Sequence, residues 1–171
     1  MASGRTHDIV NLLVLPPAVY FLQPNDFFGF TAGYLVGTFF LTPDNDIYLS
    51  KPNKRWNILK IIWYPYTKIF KHRGVSHIPI YGTVFKILYL SAIFLLILIG
   101  FKYLFEQIYP EKRFFFNLND FKSLILNKFT ISFFLGIVLA EIVHIFTDII
   151  YSTFKKVLPK RRKRKRWILV E

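Results

Sequence analysis

FTISFFLGIVLAEIVHIFTDIIYSTF, residues 129–154, is an apolar tract interrupted by Glu141, His144 and Asp148. About 20 consecutive apolar residues suffice to cross roughly 30 Å of hydrocarbon, so the tract has the length of a transmembrane helix. Ionisable groups inside such a helix are expensive unless they face a protein interior, water or a bound ion. In a helix Glu141 and His144 are three residues apart, and His144 and Asp148 four, so all three line one stripe. The tract therefore predicts a spanning helix with a polar site on its inner face.

The rest of the chain is read outward from this helix. Residues 80–105 form a second long tract, with no charge between Leu88 and Gly100. Residues 9–22 and 27–41 are shorter, and Pro16-Pro17 interrupts the first. They predict two short spans or one re-entrant hairpin, and either returns the chain to its starting side. Arg5 ahead of residues 9–22 has the look of a secretory signal, but no small-residue cleavage site follows, so the segment is read as retained. The expected fold is all-α: a multi-pass helical membrane protein of about four transmembrane helices with an interfacial basic loop. Residues 1–158 form one membrane-embedded domain, and 159–171 a basic tail.

Composition agrees with a membrane solvent. The chain is 53% hydrophobic yet carries a net charge of +13, with the basic residues segregated from the apolar tracts. It has no cysteine, which excludes disulfides, thiolate ligands and thiol nucleophiles. Lysines and arginines in short flanking loops mark the cytoplasmic side. Lys51, Lys54, Arg55, Lys60, Lys68, Lys71 and Arg73 follow the second tract without an intervening acid, and the tail runs from Lys160 to Arg166 in unbroken basic residues. Both clusters predict a cytoplasmic membrane protein with both termini inside. Trp56, Trp63, Tyr64 and Tyr66 lie among the lysines of the loop, a composition suited to the headgroup layer.

All four histidines fall in short motifs: Thr6-His7-Asp8, His72-Arg73-Gly74-Val75-Ser76-His77, and Glu141-x-x-His144-x-x-x-Asp148. Pro43-Asp44-Asn45-Asp46 adds two carboxylates around a turn. Gly74 permits a bend that brings His72 and His77 toward a common centre. The plainer roles are helix and turn caps for Asp8, Asp44 and Asp46. The topology, derived from lysines and arginines alone, places every motif at the same face. The candidate ligands are thus His7, Asp44, Asp46, His72, His77, Glu141, His144 and Asp148. Imidazole with carboxylate suits zinc first and manganese second. Eight donors exceed what one four-coordinate ion requires, which predicts two ions sharing a carboxylate.

These residues resemble the small bacterial membrane proteins described as predicted metal-binding or membrane-bound metal-dependent hydrolases. The resemblance runs through Ser3-Gly4-Arg5-Thr6-His7-Asp8, Gly37-Thr38 to Pro43-Asp44-Asn45-Asp46, Lys71 to His77, and Glu141, His144 and Asp148. It implies metal binding, and a more distant similarity to zinc-dependent phospholipase C implies phosphoester hydrolysis.

The expected function is a metal-dependent phosphohydrolase at the cytoplasmic membrane surface. The metal would acidify a bound water, Arg73 and a second ion would stabilise charge on the phosphoryl oxygens, and Glu141 or one of the aspartates would act catalytically by relaying a proton. The alternative is a non-enzymatic metal binder or a metal or proton transporter. For transport, the outer part of the last tract offers only Thr130 and Ser132 as polar side chains. The partners expected are membrane lipids, with anionic headgroups drawn to the basic loop and tail. The tail's place beside the last tract favours headgroups over nucleic acid, and no specific nucleic-acid partner is expected.

Overall fold

The computed structural model describes residues 3–70, 74–111, 122–123 and 125–157. Its elements are α1 (Gly4–Leu22), α2 (Phe27–Phe39), α3 (Lys51–Arg55), α4 (Trp63–Ile69), α5 (Tyr81–Ile108) and α6 (Lys128–Val157), with 3₁₀ turns at Pro43–Asp46, Asn57–Ile62 and Val75–His77. No strand occurs among the described residues, so the chain is all-α.

Local chemistry sets the helix starts. Ser3 accepts the Thr6 N–H at 3.2 Å and opens α1. Asp26 accepts the Gly29 N–H at 2.6 Å and opens α2, while its own N–H donates to Ser132 Oγ on α6 at 3.1 Å. Helix α1 continues through Pro16 and Pro17 rather than ending there.

Among the described residues two helices, α5 and α6, are long and apolar enough to cross a membrane. Four crossings were expected. Helix α2 has 13 residues, about 20 Å at 1.5 Å per residue, well short of a bilayer core. Its glycines explain its place. Gly29, Gly33 and Gly37 recur every four residues, so one stripe of bare backbone faces α6. A Cβ at Gly33 would overlap the Phe133 carbonyl oxygen, and one at Gly37 would stand 2.9 Å from Ala140 Cβ. Gly136 on α6 meets the Phe30 carbonyl in the same way. Positions ascend together on both helices, so α2 and α6 run parallel at a separation that only small residues allow. Helix α1 runs back against this pair, and Tyr34 Oη donates to the Asn11 carbonyl at 3.1 Å.

The segment between α2 and α5 packs over one end of the α2–α6 seam. Trp63 and Tyr66, expected among the headgroups, are fully buried against Leu41 and Ile137. Their spacing of three puts both on the inner face of α4, while Ile58, Leu59, Ile61 and Tyr64 are exposed. Asn45 and Asn53 lock the turn above them: Asn45 Nδ2 donates to Asn53 Oδ1 at 2.7 Å, and Asn53 Nδ2 to the Asn45 and Ile47 carbonyls at 3.0 and 2.9 Å. Asn45, set between two aspartates, thus holds their backbone in place. The chain enters α5 through a γ-turn at Ile80, φ 70°, closed by Tyr81 N–H to the Pro79 carbonyl at 2.8 Å.

Candidate metal centre

Four separate stretches deliver ionisable side chains to one place. His7 comes from the first turn of α1, Asp44 and Asp46 from the turn after α2, His77 from the turn before α5, and His144 and Asp148 from successive turns of α6. The His7 and His144 rings stack with centroids 3.7 Å apart and planes 5° from parallel. His7 Nε2 stands 3.2 Å from Asp148 Oδ1, and His144 Nε2 stands 3.7 Å from Asp44 Oδ2. One donor atom from each of His7, His144 and Asp148 lies within 4.8 Å of the others. On the far side of Asp44, Oδ1 faces His77 Nε2 at 3.7 Å, and His77 Nδ1 faces Asp46 Oδ2 at 3.5 Å.

The donor set fits a metal ion on the structure's own evidence. His7 and His144 are each 3% exposed, and none of their four ring nitrogens makes a hydrogen bond. A buried polar atom left without a partner costs about 1–3 kcal/mol, and a coordinated ion removes that cost. The 3.7 Å separation of His144 from Asp44 is long for a hydrogen bond, and with the 3.2 Å of His7 from Asp148 it suits the edges of a coordination shell. Ligands at about 2.0–2.2 Å from a tetrahedral centre lie roughly 3.4 Å apart. A cavity of about 10 Å³, bordered by His7, His144, Asp44, Thr42 and Lys51, has room for one water-sized particle. Thr42 Oγ1, buried without a hydrogen bond, borders it as well.

Electrostatics bind the turn residues to each other. Burial raises the Asp44 carboxyl, but the imidazoles of His144 and His77 facing its two oxygens, with the charge of His7 beside them, hold it far below the usual range. Burial lowers the His77 imidazole, and Asp44 and Asp46 outweigh that to raise it to about 9. In the metal-free protein a proton on His77 thus stands between two carboxylates.

A second set of contacts braces the site. Asp8, expected as a helix cap, leaves that role to Ser3 and instead accepts from Arg55 Nη2 at 2.6 Å and from the Lys51 ammonium. Arg55 Nη1 also donates to the Phe39 carbonyl at 3.1 Å, which ties the turn carrying His7 to the end of α2. Glu141 is the one described candidate whose carboxylate turns elsewhere. It accepts from the Lys86 ammonium and from Thr83 Oγ1 at 2.5 Å, and Lys86 also reaches the Leu41 carbonyl at 3.2 Å. Lys86, inside the second long tract but outside its charge-free part, was not singled out in the sequence. The signal was available: two apolar helices each holding one buried charge, of opposite sign, invite a pair. His72, Arg73 and the tail beyond Val157 lie outside the described residues.

Residues 2–158 match the family described as uncharacterized metal-binding protein (DUF2227). The chain belongs to that family. A relative in Aquifex aeolicus (strain VF5), described as an uncharacterized protein, is 36% identical over 156 residues, covering 79% of this chain and 99% of its own length. No solved structure matches the chain significantly. Family membership carries the metal-binding part of the resemblance noted in the sequence. It carries neither hydrolysis nor a likeness to phospholipase C.

Proposed function

We propose that the protein holds a divalent ion, zinc before manganese, among His7, Asp44, His144 and Asp148 at the cytoplasmic face of a membrane. The observation that carries this is the pair of buried imidazoles whose ring nitrogens make no hydrogen bond, with the Asp148 and Asp44 carboxylates facing their Nε2 atoms. Two nitrogens and two carboxylate oxygens make a donor set zinc accepts without redox chemistry. In this reading α5 and α6 cross the bilayer and α1 with α2 forms a re-entrant hairpin on α6. Both termini are cytoplasmic, residues 1–158 are one embedded unit, and 159–171 with the loop of residues 51–73 attract anionic headgroups.

Binding without turnover is the better-supported activity. The cavity at the site takes about one water-sized particle, and Glu141, expected with the aspartates as a proton relay, is engaged by Lys86 and Thr83. A membrane-surface phosphohydrolase is the second reading, favoured by the two faces Asp44 presents to His144 and His77. Bound ions would supply Lewis acidity and an acidified water there. Arg73 would clamp the phosphoryl group.

Elemental analysis of detergent-purified wild type beside His144→Ala tests the first reading. Near-stoichiometric metal in wild type, lost in the variant, is expected. A metal-free wild type that takes up no added zinc or manganese overturns it. Turnover of phosphomonoester or phosphodiester substrates by the loaded protein, abolished in the variant, would move the assignment to the hydrolase.

A further inference from the structure

We infer that Asp44 is a bridging carboxylate and that His77 holds a second divalent ion across it, with Asp46 orienting His77 rather than ligating. This rests on the first ion's site at His7, His144 and Asp148. The two Asp44 oxygens face different imidazoles at the same 3.7 Å, Oδ2 toward His144 Nε2 and Oδ1 toward His77 Nε2. One imidazole on each oxygen is the arrangement that a carboxylate shared between two ions requires.

Asp46 occupies a different station. It faces His77 Nδ1, the nitrogen on the side of the ring away from Asp44, at 3.5 Å, and its Oδ2 accepts the Ser76 hydroxyl at 2.5 Å. Asp46 is 5% exposed and Ser76 1%. A carboxylate on one imidazole nitrogen fixes the tautomer and aims the other nitrogen at the metal, an arrangement found behind most metal-bound histidines. The backbone supports it from both ends. Asn45 and Asn53 hold the Asp44–Asp46 turn, while Gly82 lies so close to the Ser76 carbonyl that a Cβ there would overlap it.

The two sites differ in completeness. The first has four protein donors, His7, His144, Asp148 and Asp44; the second has two, Asp44 and His77. The second ion therefore keeps coordination positions open to water, binds more weakly, and leaves first on dialysis.

The test is cobalt(II) titration of the full-length, detergent-solubilised chain, read by metal stoichiometry and by electron paramagnetic resonance. Wild type should take two ions per chain, with the signal of each diminished by magnetic coupling through the shared carboxylate. His77→Gln should take one, with an uncoupled signal. Asp46→Asn should keep two, with the second bound about 10–100-fold more weakly. Circular dichroism of each metal-free variant checks that the helices persist. A wild type that binds one ion, lost in His144→Ala and kept in His77→Gln, overturns the second site and leaves the first standing. Two ions retained by both His77→Gln and His77→Ala also overturn it. No ion bound by the wild type overturns both sites.

Discussion

Helices α2 and α5 are both apolar, and they join α6 by opposite means. Helix α2 lays a stripe of glycines along it, so backbone meets backbone over three turns. Helix α5 barely touches α6; among its residues only Gly82, Thr83 and Lys86 are buried, and two of these donate to Glu141. In the bilayer proposed above for α5 and α6, apolar side chains would gain little by meeting each other, because the acyl chains are equally apolar. Association then depends on close packing or on polar atoms that lipid cannot satisfy. The protein uses the first for the seam beneath the candidate metal centre and the second beside it.

Breaking the polar join should have the largest effect. Lys86→Met leaves Glu141 buried without its cation, which should destabilise the protein by about 3–5 kcal/mol in thermal unfolding in detergent. Lys86→Met with Glu141→Leu should recover most of that loss. If the double variant is no better than the single one, the pair is not the join described here. At the seam, Gly33→Ala drives a methyl into the Phe133 carbonyl and should cost about 1–3 kcal/mol. It should also lower metal content, since α2 carries the Asp44 turn. An unchanged melting temperature would show the helices to be further apart than the structure places them.

The next two predictions sharpen the comparison at the loop joining the helices. The His77 imidazole is raised from 6.5 to about 9 in the folded, metal-free protein. Between those values the folded state binds the proton that the unfolded state has lost, so stability falls as pH rises. The contribution is complete below pH 6.5 and gone above about 9, with a slope of at most about 1.4 kcal/mol per pH unit. Melting curves across that window should show it, and His77→Gln should flatten it. The smallest effect belongs to Arg55→Gln, which cuts a partly exposed pair with Asp8 worth about 1 kcal/mol or less. Its larger consequence should be weaker metal binding, because Arg55 ties the turn bearing His7 to the end of α2. Metal affinity equal to wild type would reduce Arg55 to a surface contact.

Much of the site was legible in the residue order. His7 and His144 lay in motifs with carboxylates, His72 and His77 framed a motif without one, and the distribution of lysines and arginines was read as putting all of them at one face. Helical spacing placed Glu141, His144 and Asp148 on one stripe, and they do share it. Height along the axis separated them. Glu141 lies about 4.5 Å from the level of His144 and about 10.5 Å from that of Asp148, so it meets Lys86 and Thr83 while the other two meet His7 and Asp44. Spacing within one helix specifies direction but not which neighbour stands at each level. The same limit hid the burial of Trp63 and Tyr66, since an aromatic residue among lysines has the same local pattern whether it faces lipid or core.

The sequence by itself determined an all-helical chain, two of whose four expected spans are long and apolar enough to cross a bilayer, and a supply of imidazole and carboxylate without thiol. These follow from periodicity, length and composition, which are local properties. Only the tertiary structure decided that α2 is too short to be a full span and lies along α6, that Glu141 answers Lys86, and that Asp44 stands between two histidines. Those are relations between residues distant in the chain, set by how closely glycine lets two backbones approach and by which buried charge finds its opposite.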